Sequence, residues 1–209
     1  MTQELTKRIL SSIILIPIVL FFIIKGSFLF IFFILICLSA IIYEWHMMSK
    51  KKSYRIFGFI FLFLSFYTIY KLRIDNDYWF ILFITTICVS TDIGGYVFGK
   101  IFKGPKLTKF SPNKTYAGMI GGYVLSTIFS TILTIIYTNE QLTVKWFIFI
   151  ILISTISQLG DIIISYFKRL SKIKDTGKII PGHGGLLDRV DGMIFAFPFS
   201  YLIYLMDIL

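Results

Sequence analysis

The fold class this sequence predicts is all-α: a polytopic integral membrane protein of about seven transmembrane helices, with its active site on the cytoplasmic side. Three observations carry that expectation. Of the 209 residues, 56% are hydrophobic and only 15% charged, with a mean hydropathy of +0.82. A water-soluble domain of this length has no interior large enough for so much apolar surface. Apolar runs approaching bilayer length recur along nearly the whole chain, leaving no stretch for a separate soluble domain. The cations, finally, gather between alternate runs. One membrane domain, residues 1–209, is expected, with N-terminal spans up to residue 78 and a chemistry-bearing half from 79 to 209.

The apolar runs fall at about 9–24, 27–43, 56–70, 78–98, 118–137, 145–165 and 192–209. The first follows Lys7 and Arg8 as a signal peptide would. It lacks a small-residue cleavage site and meets another apolar run at once, so it reads as a retained helix. The first three runs are short for a hydrocarbon core about 30 Å thick at 1.5 Å per residue, so their ends must borrow flanking residues. Lys25-Gly26 turns the first two into a tight helical hairpin. Cys37 and Cys88 lie inside apolar runs and offer neither disulfide nor metal-ligand spacing.

Charge orients the chain. With the N-terminus in the cytoplasm, 17 of the 21 lysines and arginines face that side, and only Lys25, Lys71, Arg73 and Lys145 face outward. The two large polar loops, 99–117 and 166–191, then share the cytoplasmic face. The net charge of +10 follows from these loops and from a site for anions, not from nucleic-acid binding.

The stretch 165–191, SYFKRLSKIKDTGKIIPGHGGLLDRVD, is the long polar run of the chain. It carries Lys168, Arg169, Lys172, Lys174, Lys178 and Arg189 together with Asp175, Asp188 and Asp191. Carboxylates amid excess cations suit a site that holds a metal and binds phosphate. Asp161 lies just upstream within an apolar span, where an ionisable group is expensive and is a functional hypothesis by default. The bland alternative is a carboxylate reaching water or a lysine at the interface. Asp92, ahead of Gly94 and Gly95, is a similar case, although the two glycines also suit close helix packing.

Asp188 and Asp191 are spaced i, i+3, so on one helix they would share a face and, with Asp161, set oxygens around a hard cation such as Mg²⁺. They could equally cap the last span. Gly182, Gly184 and Gly185 around His183 expose backbone N–H groups, whose succession makes an anion-binding concavity ahead of a helix. Ser111-Pro112-Asn113-Lys114-Thr115 joins a turn, a lysine and hydroxyls ahead of a helix, a layout suited to phosphate or sugar hydroxyls. It lacks P-loop glycine spacing. The run 45–55 reads as a surface-anchoring loop in which His46 is incidental.

Together, Ser165-Tyr166-Phe167-Lys168-Arg169, Lys174-Asp175, Gly177, Ile180-Pro181, His183-Gly184-Gly185 and Asp188-Arg189-Val190-Asp191 resemble the signature of the CDP-diacylglycerol synthases, the phosphatidate cytidylyltransferases. Asp92-Ile93-Gly94-Gly95-Tyr96 and Ser111 to Thr115 are similar to upstream family blocks, in the same order. The resemblance runs from about Ser90 to the C-terminus, and the first three spans match only in being hydrophobic. Where the family commonly has a glutamate, Ala117 precedes Gly118, so no role for that carboxylate carries over.

The resemblance implies transfer of a cytidylyl group from CTP to phosphatidic acid, giving CDP-diacylglycerol and pyrophosphate in phospholipid biosynthesis. It implies Asp161 and Asp188 as leading metal ligands, with Asp191 and Asp92 in support. Mg²⁺ is the metal, and K⁺ a second cation the resemblance admits. Lys168, Arg169, Lys174 and Arg189 would neutralise phosphates. Ser111, Lys114, Thr115 and the His183-Gly184-Gly185 loop would contact nucleotide or lipid phosphate. A homodimer is allowed, and small size favours a bacterial inner membrane. The competing class, a transporter of anionic substrates, predicts two halves with broken helices in corresponding positions. The charge here is concentrated in one half.

Overall fold

The computed structural model describes residues 3–50, 52–108, 111, 114–138, 142–180, 182 and 184–208, the side chains of 3–10 and 12 excepted. It contains eight α-helices and no strand among these residues. They are α1 (Gln3–Lys25), α2 (Ser27–Met48), α3 (Arg55–Asp75), α4 (Tyr78–Phe102), α5 (Tyr116–Thr138), α6 (Val144–Leu170), α7 (Leu187–Val190) and α8 (Met193–Leu205). Five of these, α2 to α6, are long and apolar enough to cross a membrane. Large apolar side chains stand outward on α2, α3, α5 and α6 (Phe32, Phe57, Ile128, Leu152), as surfaces facing lipid do; those in the first half of α4 are buried. The first three helices do extend beyond their apolar runs, to 23, 22 and 21 residues. The run 45–55 is correspondingly shorter as a loop: Trp45 to Met48 finish α2 and Arg55 opens α3.

By its contacts the chain divides into two compact units. The first comprises Met1–Tyr78 and Lys168–Val190, the second Trp79–Phe167 and Asp191–Leu209. The polar stretch thus belongs with the N-terminal helices.

In the first unit, α1 and α2 form the hairpin expected at Lys25-Gly26, with the Phe22 and Phe33 rings stacked 4.7 Å apart across it. Gly26 has φ +61° and ψ −149°, a backbone region essentially closed to other residues. A side chain there would also run into the guanidinium of Arg73 on α3. That arginine holds the turn, its Nε donating to the Ile23 carbonyl at 3.1 Å. At the other end of α2, Gly58 of α3 lies flat against the Trp45 ring, whose indole N–H donates to the Arg55 carbonyl at 3.1 Å.

In the second unit, α4 and α5 cross where both are glycine. A Cβ built on Gly118 would meet the Gly95 carbonyl oxygen at 2.6 Å, and one on Gly94 would reach Gly122 Cα at 2.9 Å. Small residues let two backbones meet where apolar burial offers no drive between helices. At one end of this unit Trp79, Phe83, Tyr137, Trp146 and Phe149 pack together, with Trp79 and Trp146 edge to face at a centroid distance of 5.4 Å. The starts of α4 and α6 and the end of α5 therefore lie side by side, and the three helices alternate in direction. Such aromatic girdles sit at membrane–water interfaces.

Helix α8 is 13 residues long, about 20 Å at 1.5 Å per residue. Its start lies level with the middle of α6, since a Cβ on Gly160 would meet the Asp191 carbonyl oxygen at 3.0 Å. Its far end reaches the aromatic end, with Tyr204 and Phe80 centroids 6.4 Å apart. The helix is short because the chain enters it well below the end of α6.

Candidate active site

Two clusters of charged groups emerge, one in each unit. In the first unit, α6 closes with Lys172 at φ +58°, while Ile173 N–H donates to the Lys168 carbonyl at 3.0 Å and Lys172 N–H to that of Arg169 at 3.0 Å. This is a Schellman cap, and it turns the chain back toward α2. The Tyr54 hydroxyl meets Ser171 Oγ at 2.8 Å just before the reversal. The loop that follows is pinched at its tip, where Ile180 N–H donates to the Gly184 carbonyl at 3.0 Å.

Asp188, 3% exposed at its side chain, organises this loop. Its Oδ1 accepts from Lys168 Nζ at 3.0 Å. Its Oδ2 accepts the Thr176 N–H at 2.8 Å and the Gly185 N–H at 2.9 Å. Gly184 has φ +89°, and a Cβ there would stand 2.9 Å from Asp188 Oδ2. Glycine at 184 therefore meets both a backbone and a space requirement.

The second anion in this cluster is Glu44 on α2, which is 1% exposed. Its carboxylate accepts from Thr176 Oγ1 at 2.9 Å and from the N–H groups of Leu186 and Leu187 at 2.8 Å each. Of the glycines, Gly185 contributes an N–H to a succession continued by Leu186 and Leu187, and protein carboxylates occupy it. Gly185 N–H is taken by Asp188, and the start of α7 by Glu44.

In the second unit, Lys114, just ahead of α5, forms an ion pair with Asp161 on α6. Ser165 Oγ donates to Asp161 Oδ1 at 3.3 Å. Thr115 caps α5, its hydroxyl accepting the Gly118 N–H at 3.1 Å. Lys114 lies beside an isolated antiparallel bridge between Lys106 and Thr115, with Leu107 N–H donating to its carbonyl at 2.8 Å and its own N–H donating to the Ser111 carbonyl at 3.1 Å. This pair lies at the end of the unit opposite the aromatic girdle. Asp191 is buried, its Oδ1 accepts the Gly192 N–H at 3.0 Å, and its backbone passes Gly160, the residue before Asp161.

The expected shared helix face of Asp188 and Asp191 is not formed. Helix α7 ends at Val190, Asp191 and Gly192 form a turn, and α8 begins at Met193. Gly192 is packed against Ser157 Oγ of α6, and the chain breaks its helix there to pass that close. Asp92 is exposed on α4, and Arg169, Lys174 and Arg189 are exposed in the first unit. His183 lies outside the described residues. Among the described residues, no three carboxylate, histidine or cysteine side chains converge into a self-sufficient metal cage. Mg²⁺ needs no such cage, because one or two carboxylates, waters and substrate phosphates complete its shell. The hard carboxylate oxygens present fit it chemically.

Glu44 is the site residue that the motifs missed. Its signal was an acidic residue at the edge of an apolar run, the same sign that marked Asp161.

Five helices long and apolar enough to cross a membrane, with ion pairs near their ends, define the class: a multi-pass helical membrane protein. Comparison with known sequences narrows it. The profile of the cytidylyltransferase family matches residues 6–75 and 56–207. The phosphatidate cytidylyltransferase of Rickettsia felis is 34% identical over 96% of this chain and 92% of its own length. That of Brucella suis is 33% identical over 85% and 66%, and that of Staphylococcus saprophyticus 33% over 78% and 65%. The chain belongs to the cytidylyltransferase family. The match begins at residue 6, so the likeness extends over the first spans, beyond the half from Ser90 onward that carried the motifs.

Proposed function

We propose that the protein transfers the cytidylyl group of CTP to phosphatidic acid, giving CDP-diacylglycerol and pyrophosphate. The observation that carries this reading is the family likeness along almost the whole chain. The residues support the chemistry. A phosphate oxygen of phosphatidic acid attacks the α-phosphorus of CTP. The bond from that phosphorus to the β-phosphate bridge breaks, and pyrophosphate leaves with the electron pair. The lipid phosphate is already an anion near neutral pH, so no strong base is required. The obstacle is repulsion between two anions, and cations must hold them in line.

In this reading Lys168, Arg169, Lys174 and Arg189 neutralise phosphates. Ser111, Lys114, Thr115, His183, Gly184 and Gly185 are the remaining substrate contacts. Asp161 and Asp188 would hold Mg²⁺, supported by Asp191 and Asp92, with K⁺ a second cation to test. Bound there, Mg²⁺ would offset phosphate charge and stabilise the developing pyrophosphate. Lys114 holds the Asp161 carboxylate in place, and Lys168 does the same for Asp188.

We further propose seven spans, with α1 and α8 added to the five that are long and apolar enough to cross a membrane. The N-terminus and both polar loops face the cytoplasm of a bacterial inner membrane, where CTP is dissolved while acyl chains stay in the bilayer. A homodimer is the assembly to test by light scattering in detergent. The decisive assay uses solubilised protein, labelled CTP, phosphatidic acid and Mg²⁺. Labelled CDP-diacylglycerol from the wild type supports the reading, and its absence from folded protein across Mg²⁺ and K⁺ concentrations refutes it.

A further inference from the structure

Glu44 makes a pattern of contacts that neither the motifs nor the proposed chemistry explains. It is a buried carboxylate, and among the described residues it forms no ion pair. An isolated buried charge is costly unless hydrogen bonds to it are well formed. Here three donors converge on it, all from one distant segment: Thr176 Oγ1 at 2.9 Å, and Leu186 and Leu187 N–H at 2.8 Å each. Charge-assisted hydrogen bonds of this kind are about twice as strong as neutral ones.

The three donors sit on the two sides of the loop's neck, Thr176 before the glycine tip and Leu186-Leu187 after it. Asp188 closes the same neck from within, through Thr176 and Gly185 N–H. Glycine clears the space for Glu44 on both sides. A Cβ at 177 would stand 2.8 Å from Glu44 Oε1, and one at 185 would stand 2.5 Å from Oε2. Leu187 opens α7, which carries Asp188 and Arg189, and Leu186 directly precedes it.

We propose that Glu44 is a positioning residue for the transfer reaction. From α2 it clamps the neck of the loop 176–187 and thereby sets Asp188 and Arg189 in their working geometry. The first helical hairpin is then part of the catalytic apparatus. This inference rests on the proposed function for its kinetic arm and not for its structural arm.

The test uses the full chain in nanodiscs, with Glu44→Gln and Thr176→Val beside the wild type. Both variants are checked for monodispersity and thermal midpoint. Hydrogen exchange is read by mass spectrometry over 174–190, with α5 as the internal reference. Glu44→Gln should accelerate exchange in 174–190 and leave α5 unchanged. It should lower kcat about 10–100-fold while KM for CTP and for phosphatidic acid stays within about threefold, as loss of an orienting partner does. Thr176→Val, which removes one of three donors, should act in the same direction by about three- to tenfold. A folded Glu44→Gln enzyme with wild-type exchange in 174–190 overturns the proposal, as does one with kcat within twofold of wild type. Should Glu44→Gln not fold, Thr176→Val decides by the same two readouts. A wild type that makes no product would defeat the functional reading alone, because exchange reports the clamp without turnover.

Discussion

Lys114 and Asp161 form an ion pair between the entry of α5 and the body of α6, with both side chains 25% exposed. Neither is deeply buried. A pair of this kind contributes little to stability, since exposed pairs are worth about 0–1 kcal/mol, and its value lies in what it places. Asp161→Asn is expected to leave the thermal midpoint nearly unchanged and to reduce product formation about 100-fold or more, as loss of a metal-holding carboxylate does. Lys114→Gln should lose about 10–100-fold in kcat/KM, since a hydrogen bond to a charged group is worth about 1.5–3 kcal/mol and 1.4 kcal/mol is tenfold. The labelled-CTP assay checks both, and a full-rate Asp161→Asn enzyme would remove that residue from the metal assignment.

Asp188 should behave differently from Asp161, although both are aspartates beside a lysine. Its side chain is 3% exposed and its partner Lys168 is 11% exposed. Removing one member of a buried pair costs about 3–5 kcal/mol. Asp188→Ala is therefore expected to lower the thermal midpoint in detergent as well as the activity. Substituting Lys168→Met in the same chain should not restore stability, because the N–H groups of Thr176 and Gly185 would still lack their acceptor.

The α4–α5 crossing yields a paired prediction. A Cβ at Gly94 strikes the backbone of Gly121 and Gly122, whereas one at Gly95 reaches only ordinary contact, 3.9 Å from the Gly118 oxygen. Gly94→Ala should destabilise by about 1–3 kcal/mol, as overpacking does. Gly95→Ala should be tolerated. Thermal unfolding of the two variants side by side separates them.

Lys172 holds a left-handed conformation, φ +58°, at the Schellman cap of α6. A residue with a Cβ pays about 1–2 kcal/mol there relative to glycine. Lys172→Gly should raise the thermal midpoint, and a fall would mean that its side chain has a role beyond the turn.

Much of the fold was legible in the sequence. The apolar runs marked α1 to α6, and Lys25-Gly26 marked the first hairpin. Helix ends were less legible. Trp45 to Met48 continue α2 because burial of Trp45 and Met48 outweighs the polar appearance of the run that follows. The break at Asp191-Gly192 was hidden, because i, i+3 spacing looks the same whether a helix continues or stops. Asp161 announced itself by its apolar setting, but its partner Lys114 stands among lysines that all look like positive-inside charges. Glu44 carries the same signal as Asp161, at the margin of a run.

The sequence alone determined that this is a polytopic helical membrane protein of the cytidylyltransferase kind. Hydrophobic length, charge asymmetry and a contiguous motif are sums over neighbouring residues, and they survive without a third dimension. Only the tertiary structure decided what the signature loop's N–H groups bind. Those of Thr176 and Gly185 go to Asp188, and those of Leu186 and Leu187 to Glu44, up to 143 positions away in the chain. A hydrogen bond closed across that separation leaves no local pattern, because either partner alone reads as an ordinary glutamate or an ordinary backbone.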